Sequence, residues 1–136
     1  MADKLSIVIV DDSRIALAQL EGILSQIDEV EVAGSARDGI SAIRAVAQHK
    51  PDLLLMDIVM PEMDGLSALR ILNSNHPEMR VVMISSLGGS GSHAEESFCL
   101  GAIQVIGKPF ETEQIEAVVE NELLRGSGER VEAEWE

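Results

Sequence analysis

Asp11, Asp12, Asp57, Ser85, Ser86 and Lys108 are the residues whose types and spacing could do chemistry. Asp11 and Asp12 close the apolar run "LSIVIV", Asp57 closes "DLLLM", Ser85 and Ser86 end "RVVMIS", and Lys108-Pro109 follows "AIQVIG". Three carboxylates brought within a few ångströms repel one another, and each resists ionising. A divalent cation removes that conflict. An all-oxygen donor set suits Mg²⁺, which keeps several waters and binds through one or two carboxylates plus a phosphate. Lys108 adds a positive point charge and Ser85 a hydroxyl donor, so the cluster would receive a small, doubly charged oxyanion. A carboxylate so surrounded can attack phosphorus and hold the resulting acyl phosphate. Each residue also has a plainer use. Asp57 could cap a turn, Asp11-Asp12 could be N-caps in competition with Ser13, Lys108 could lie on the surface, and Ser85 could belong to a loop. Four run ends carrying compatible chemistry weigh against these separate readings.

The elements that must position these groups follow from the pattern. Leu5–Val10, Asp52–Met56 and Arg80–Ser85 are continuous apolar runs, as in parallel strands buried on both faces; Val30–Ala36 and Ala102–Gly107 complete a set of five. Helical segments lie between them. The first places Ile15, Leu20, Ile23, Leu24 and Ile27 on one stripe. Two others open on Asp-Gly, at 38–39 and 64–65, and the first of these stops at Pro51. The second offers Leu66, Leu69, Ile71 and Leu72 to the core. The fourth holds Cys99, read as a core residue. The fifth puts Ile115, Val118, Val119 and Leu123 on one face, with Glu111, Glu113, Glu116, Glu120 and Glu122 on a solvated one. A βα unit repeated five times implies an α/β fold, with a parallel sheet, right-handed crossovers and helices on both faces. Ligands of such sheets bind beyond the carboxyl ends of the strands, where the chemistry-bearing residues stand.

At 136 residues the chain fits one domain, read here as 1–125, with the acidic, glycine-containing stretch 126–136 as a flexible tail or linker stub. Ten basic against 24 acidic side chains give a net charge of −14. That balance disfavours direct nucleic-acid binding and suits a cation or a basic protein partner. No apolar run approaches the roughly 20 residues of a membrane span. The N-terminus lacks a signal peptide's layout, and a single cysteine excludes an internal disulfide. These features point to a cytoplasmic protein away from the membrane.

"VIVDDS", "DLLLMDIVMPEMDG", "VVMISS" and "GAIQVIGKPF", in this order and spacing, resemble the receiver domain of two-component response regulators, the CheY-like family. The likeness runs from about Lys4 to Leu124, and "VVMISSLGGSGS" with "SFCLGA" is similar to the receiver half of chemotaxis methylesterases. The resemblance implies a flavodoxin-like doubly wound (βα)5 fold with strand order 2-1-3-4-5. It implies a phosphoacceptor role for Asp57, with a histidine kinase as donor. It implies Mg²⁺ ligation by Asp12, Asp57 and the Val59 main-chain carbonyl, with Asp11 acting through water. Ser85 and Ser86 would contact the phosphoryl group, Lys108 would pair with it, and Lys108–Pro109 would be cis. The outcome is a switch, not an enzyme in its own right, that assists its own phosphorylation and slow dephosphorylation. Its α4-β5-α5 face would bind an unnamed protein partner, and the chain would be a monomer or weak dimer. Two positions depart from the family. Val105 stands where an aromatic rotor is usual, and the chain has no tyrosine. Val59 and Leu87, flanking the phosphoryl site, are apolar and cannot orient a hydrolytic water, which implies a long-lived phosphoryl group. The missing aromatic also supports an alternative, a degenerate receiver acting as a phosphorylation-independent interaction module.

Overall fold

The computed structural model describes residues 4–60, 63–86 and 92–134. Leu87 and Trp135 lie outside the described residues. The elements alternate along the chain: β1 (Leu5–Val10), α1 (Arg14–Leu24), β2 (Val30–Ala36), α2 (Gly39–His49), β3 (Leu53–Asp57), α3 (Gly65–Asn75), β4 (Arg80–Ser85), α4 (Ser92–Cys99), β5 (Gln104–Gly107) and α5 (Thr112–Glu134). The five strands form one sheet in the order β2-β1-β3-β4-β5, and every neighbouring pair is parallel. This is the flavodoxin-like arrangement expected from the sequence.

All five residues of β3 are buried because the strand sits mid-sheet with helices on both faces. Leu54 and Met56 pack with Ala42 and Val46 of α2 and with Ala68, Leu69 and Leu72 of α3. Leu53 and Leu55 point the other way, onto Leu20 and Leu24 of α1 and onto Ile115, Val118 and Val119 of α5. The continuous apolar run is thus two alternating sets, each serving its own half of the core. Asp38 and Asp64 start α2 and α3 as N-caps, accepting from the Ser41 and Ser67 amides at 2.8 Å.

Five expectations need correcting. Ile15, placed on the core stripe of α1, is 74% exposed, while Ala16, Leu20 and Leu24 are the buried line. Five residues of helix turn a side chain by about 140°, so Ile15 and Leu20 cannot share a face. Ile71 is exposed for a similar reason, lying outside the buried set Ala68, Leu69 and Leu72. Cys99 is exposed rather than in the core; α4 turns Ala94 and Ser97 inward instead. Glu122, placed on the solvated side of α5, is buried and lies 3.7 Å from the Arg80 guanidinium. The stretch 126–134, expected as a flexible tail, is helical backbone continuing α5. Arg, Glu, Val and Ala fill most of it, and helix-forming Glu, Arg and Ala offset its two glycines.

Candidate functional site

β1, β3, β4 and β5 deliver their last residues to one edge of the sheet. Register pairs Val10 with Met56, Asp57 with Ile84, and Ser85 with Gly107. The residues just beyond, Asp11 and Lys108, therefore close on Asp57. The Asp11 amide is held by the Ala36 carbonyl at 3.1 Å, and the Lys108 amide by the Ser85 carbonyl at 2.8 Å. The Lys108–Pro109 peptide is cis.

Lys108 Nζ lies 2.8 Å from Asp11 Oδ2 and 3.3 Å from Asp57 Oδ2. Asp11 also accepts from the Ser13 amide at 2.9 Å, and Asp57 from the Val59 amide at 3.3 Å. Asp11, Asp57 and Ser85 are buried, whereas Asp12, Ser86 and half of Val59 face solvent. Burial pushes the Asp57 carboxyl up, and the Asp11 charge adds to it; Lys108 and the Val59 amide pull it back, leaving it at about 6. Burial alone would lower Lys108. Its hydrogen bond to Asp11 and the charges of both aspartates outweigh burial and raise it, so the amine stays charged.

One carboxylate oxygen each from Asp11, Asp12 and Asp57 lie within 4.8 Å of one another. This donor set is all oxygen and carries three negative charges against the single Lys108 charge. Its geometry and its raised Asp57 pKa fit a hard divalent cation, which would relieve the repulsion that Lys108 only partly offsets.

The sheet edge thus gathers Asp11, Asp12, Asp57, Ser85 and Lys108. Val105 lies on β5, partly buried and packed against the α2–α3 side of the core. Two features of the surroundings escaped the sequence reading. Arg37, just beyond β2, donates from Nη2 to the Asp12 carbonyl at 3.0 Å. Gly65, read only as part of a helix opening, packs so closely that an added Cβ would overlap the Asp57 carbonyl oxygen. Its amide donates to the Ile58 carbonyl at 2.6 Å. The repeated Asp-Gly pairs were the available signal, since glycine at a strand–helix junction permits close backbone approach.

Comparison with known proteins agrees with this geometry. The family model described as "Response regulator receiver domain" matches residues 7–120. A protein-glutamate methylesterase/protein-glutamine glutaminase from Myxococcus xanthus is 42% identical over 103 residues, covering 76% of this chain and 30% of that protein. The chain therefore spans about 30% of the length of the curated relatives it matches. The response regulator domain of Thermotoga maritima CheB superposes with a TM-score of 0.79 at 29% identity, covering 88% of this chain and 93% of that one. A CheX-CheY-BeF3-Mg²⁺ complex from Borrelia burgdorferi gives 0.78 at 29% identity, covering 90% and 88%. With its five parallel strands, its acidic sheet edge and a family match over most of its length, the chain belongs to the response regulator receiver domains of two-component systems.

Proposed function

We propose that the chain is a phosphoacceptor switch, with Asp57 taking a phosphoryl group from a histidine kinase. The observation that carries this is Lys108 Nζ seated between the Asp11 and Asp57 carboxylates at 2.8 and 3.3 Å. One ammonium spans the nucleophile and its acidic neighbour at the point where oxyanion charge would develop. An Asp57 oxygen forms the new O–P bond as the P–N bond of the phosphohistidine breaks, and the leaving imidazole retains its electron pair and takes up a proton. Lys108 stays protonated and pairs with the transferred group, and Ser85 supplies a hydroxyl to it. Ser86, beside it and exposed, adds a second hydroxyl at the rim. Asp12, Asp57 and the Val59 carbonyl would hold Mg²⁺, with Asp11 acting through water. Mg²⁺, when bound, supplies neutralisation of the carboxylates and of the phosphoryl oxygens. The half-exposed Val59 side chain at the rim brings no polar group to a hydrolytic water, so the acyl phosphate decays slowly.

The readout face in this proposal is α4-β5-α5, where Phe98 is 50% and Leu124 68% exposed. The methylesterase relatives favour a chemotaxis pathway and a cytoplasmic setting. Among the described residues no helix is long and apolar enough to cross a membrane. Val105, in place of an aromatic rotor, favours a second reading, an interaction module that does not need phosphate.

Intact mass after incubation with acetyl phosphate and Mg²⁺ tests the choice. One phosphoryl adduct is expected, absent from Asp57→Ala and from an EDTA sample. No adduct at any acetyl phosphate concentration would leave the interaction module as the function.

A further inference from the structure

We infer that the β2–α2 turn, Arg37 to Gly39, is a positioning element for the acidic site, gripping both loops that carry its ligands. The inference rests on the reading of Asp12, Asp57 and Val59 as a Mg²⁺ and phosphoryl site. None of the three turn residues belongs to that site, yet β2 lies next to β1 at the sheet edge, and its exit turn reaches two other strand ends.

Toward the β1–α1 loop, the Ala36 carbonyl accepts from the Asp11 amide at 3.1 Å, and the Arg37 guanidinium donates to the Asp12 carbonyl at 3.0 Å. Asp11 is buried, but Asp12 faces solvent, so Arg37 supplies the outer tie that limits where the Asp12 side chain starts from. Toward the β3–α3 loop, Gly39 abuts Met63. A Cβ at position 39 would sit 2.7 Å from the Met63 carbonyl oxygen and 2.9 Å from its Cβ and Cγ. Real Cβ atoms do not approach backbone so closely, so the loop would have to move. It has little room, because Gly65, two residues on, lies against the Asp57 carbonyl and donates to Ile58 at 2.6 Å. A push at Met63 therefore passes through Gly65 toward the Asp57 and Ile58 backbone. Asp38, between the two gripping residues, fixes the turn by capping α2 through the Ser41 amide at 2.8 Å. Outer groups that orient metal ligands commonly set affinity without touching the ion.

Arg37→Ala and Gly39→Ala test this. Arg70→Ala, which removes the same charge from an exposed position on α3, and Gly22→Ala, where an added Cβ meets nothing within 4 Å, serve as controls. The expected result is a Mg²⁺ dissociation constant raised about tenfold in each turn variant, measured by calorimetry well below the unfolding temperature, with both controls matching wild type. Arg37→Lys, which keeps a donor for the Asp12 carbonyl, should recover part of the loss. Amide exchange in EDTA gives a metal-free readout: the Ser13 amide should exchange faster in Arg37→Ala, and the Gly65 amide faster in Gly39→Ala. Lowered unfolding temperatures with unchanged Mg²⁺ affinity and unchanged local exchange would make the turn merely structural and overturn the inference. A wild-type chain that binds no Mg²⁺ and takes no phosphoryl group would overturn the site reading and this inference together, an outcome distinct because all variants would then agree with it.

Discussion

Burial and the Asp11 charge hold the folded Asp57 carboxyl at about 6, against 3.8 for the unperturbed group. A raised acid means that the folded state binds the proton more tightly than the unfolded chain does. The metal-free protein therefore loses stability as pH rises from about 4 to about 6, and the deficit is fully present above that window. Asp57→Asn should raise the unfolding temperature in EDTA by several degrees at pH 7, and the gain should vanish near pH 4. No gain at pH 7 would contradict the placement of this carboxylate. The proton and Mg²⁺ also compete for the same oxygens, so apparent Mg²⁺ affinity should fall steadily below pH 6 in a calorimetric titration. At the rim, Val59→Asn should shorten the life of the phosphorylated form several-fold, followed by intact mass over time. Equal decay in both proteins would remove Val59 from control of turnover. Asp57, Asp11 and Lys108 were legible because each ends an apolar run. Arg37 was not, because its bond to the Asp12 carbonyl depends on β2 lying beside β1, an adjacency that spacing along the chain does not contain.

Helix periodicity was legible, and the errors came from applying it loosely. In α1 the small Ala16 holds the place on the buried line that the stripe assigned to Ile15. In α5 the period itself marks Glu122, four and three residues beyond Val118 and Val119, as part of the buried line; its charge hid it. The Arg80 partner at the start of β4 makes that burial tolerable. Glu122→Ala should destabilise the fold by about 2 kcal/mol in urea unfolding, since it strands a half-buried guanidinium. In β3, Leu54→Ala should cost about 3 kcal/mol, the usual cost of a cavity in a fully enclosed core. A loss under about 1 kcal/mol at Leu54 would mean that this half of the core relaxes more freely than its burial implies.

At the scale of the whole molecule, the five-unit order, the parallel sheet and the edge that bears the chemistry could all be read from alternating patterns. The C-terminal stretch could not, because glycines and acids conceal a helix that continues from a well-packed one. The family match ends at residue 120, and the core residues of α5 end near Leu123. Ending the chain after Arg125 should leave the unfolding temperature within about 2 °C of the full sequence. A larger fall would give the helical extension a part in the fold. The net charge of −14 predicts in addition that moderate salt raises the unfolding temperature by screening self-repulsion.

Lys108 between Asp11 and Asp57 also bears on how the molecule is made. Synthesis runs from the N-terminus, so both aspartates leave the ribosome long before the lysine that separates them. A nascent chain that pairs β1 with β3 early brings the two carboxylates together without the lysine that lies between them in the finished fold. It must keep one of them protonated, borrow a metal ion from solution, or leave that end of the sheet ajar until β5 arrives. The same charge arrangement that prepares the finished site thus discourages premature closure, and the last strand to be made is the one that lets the first and third settle.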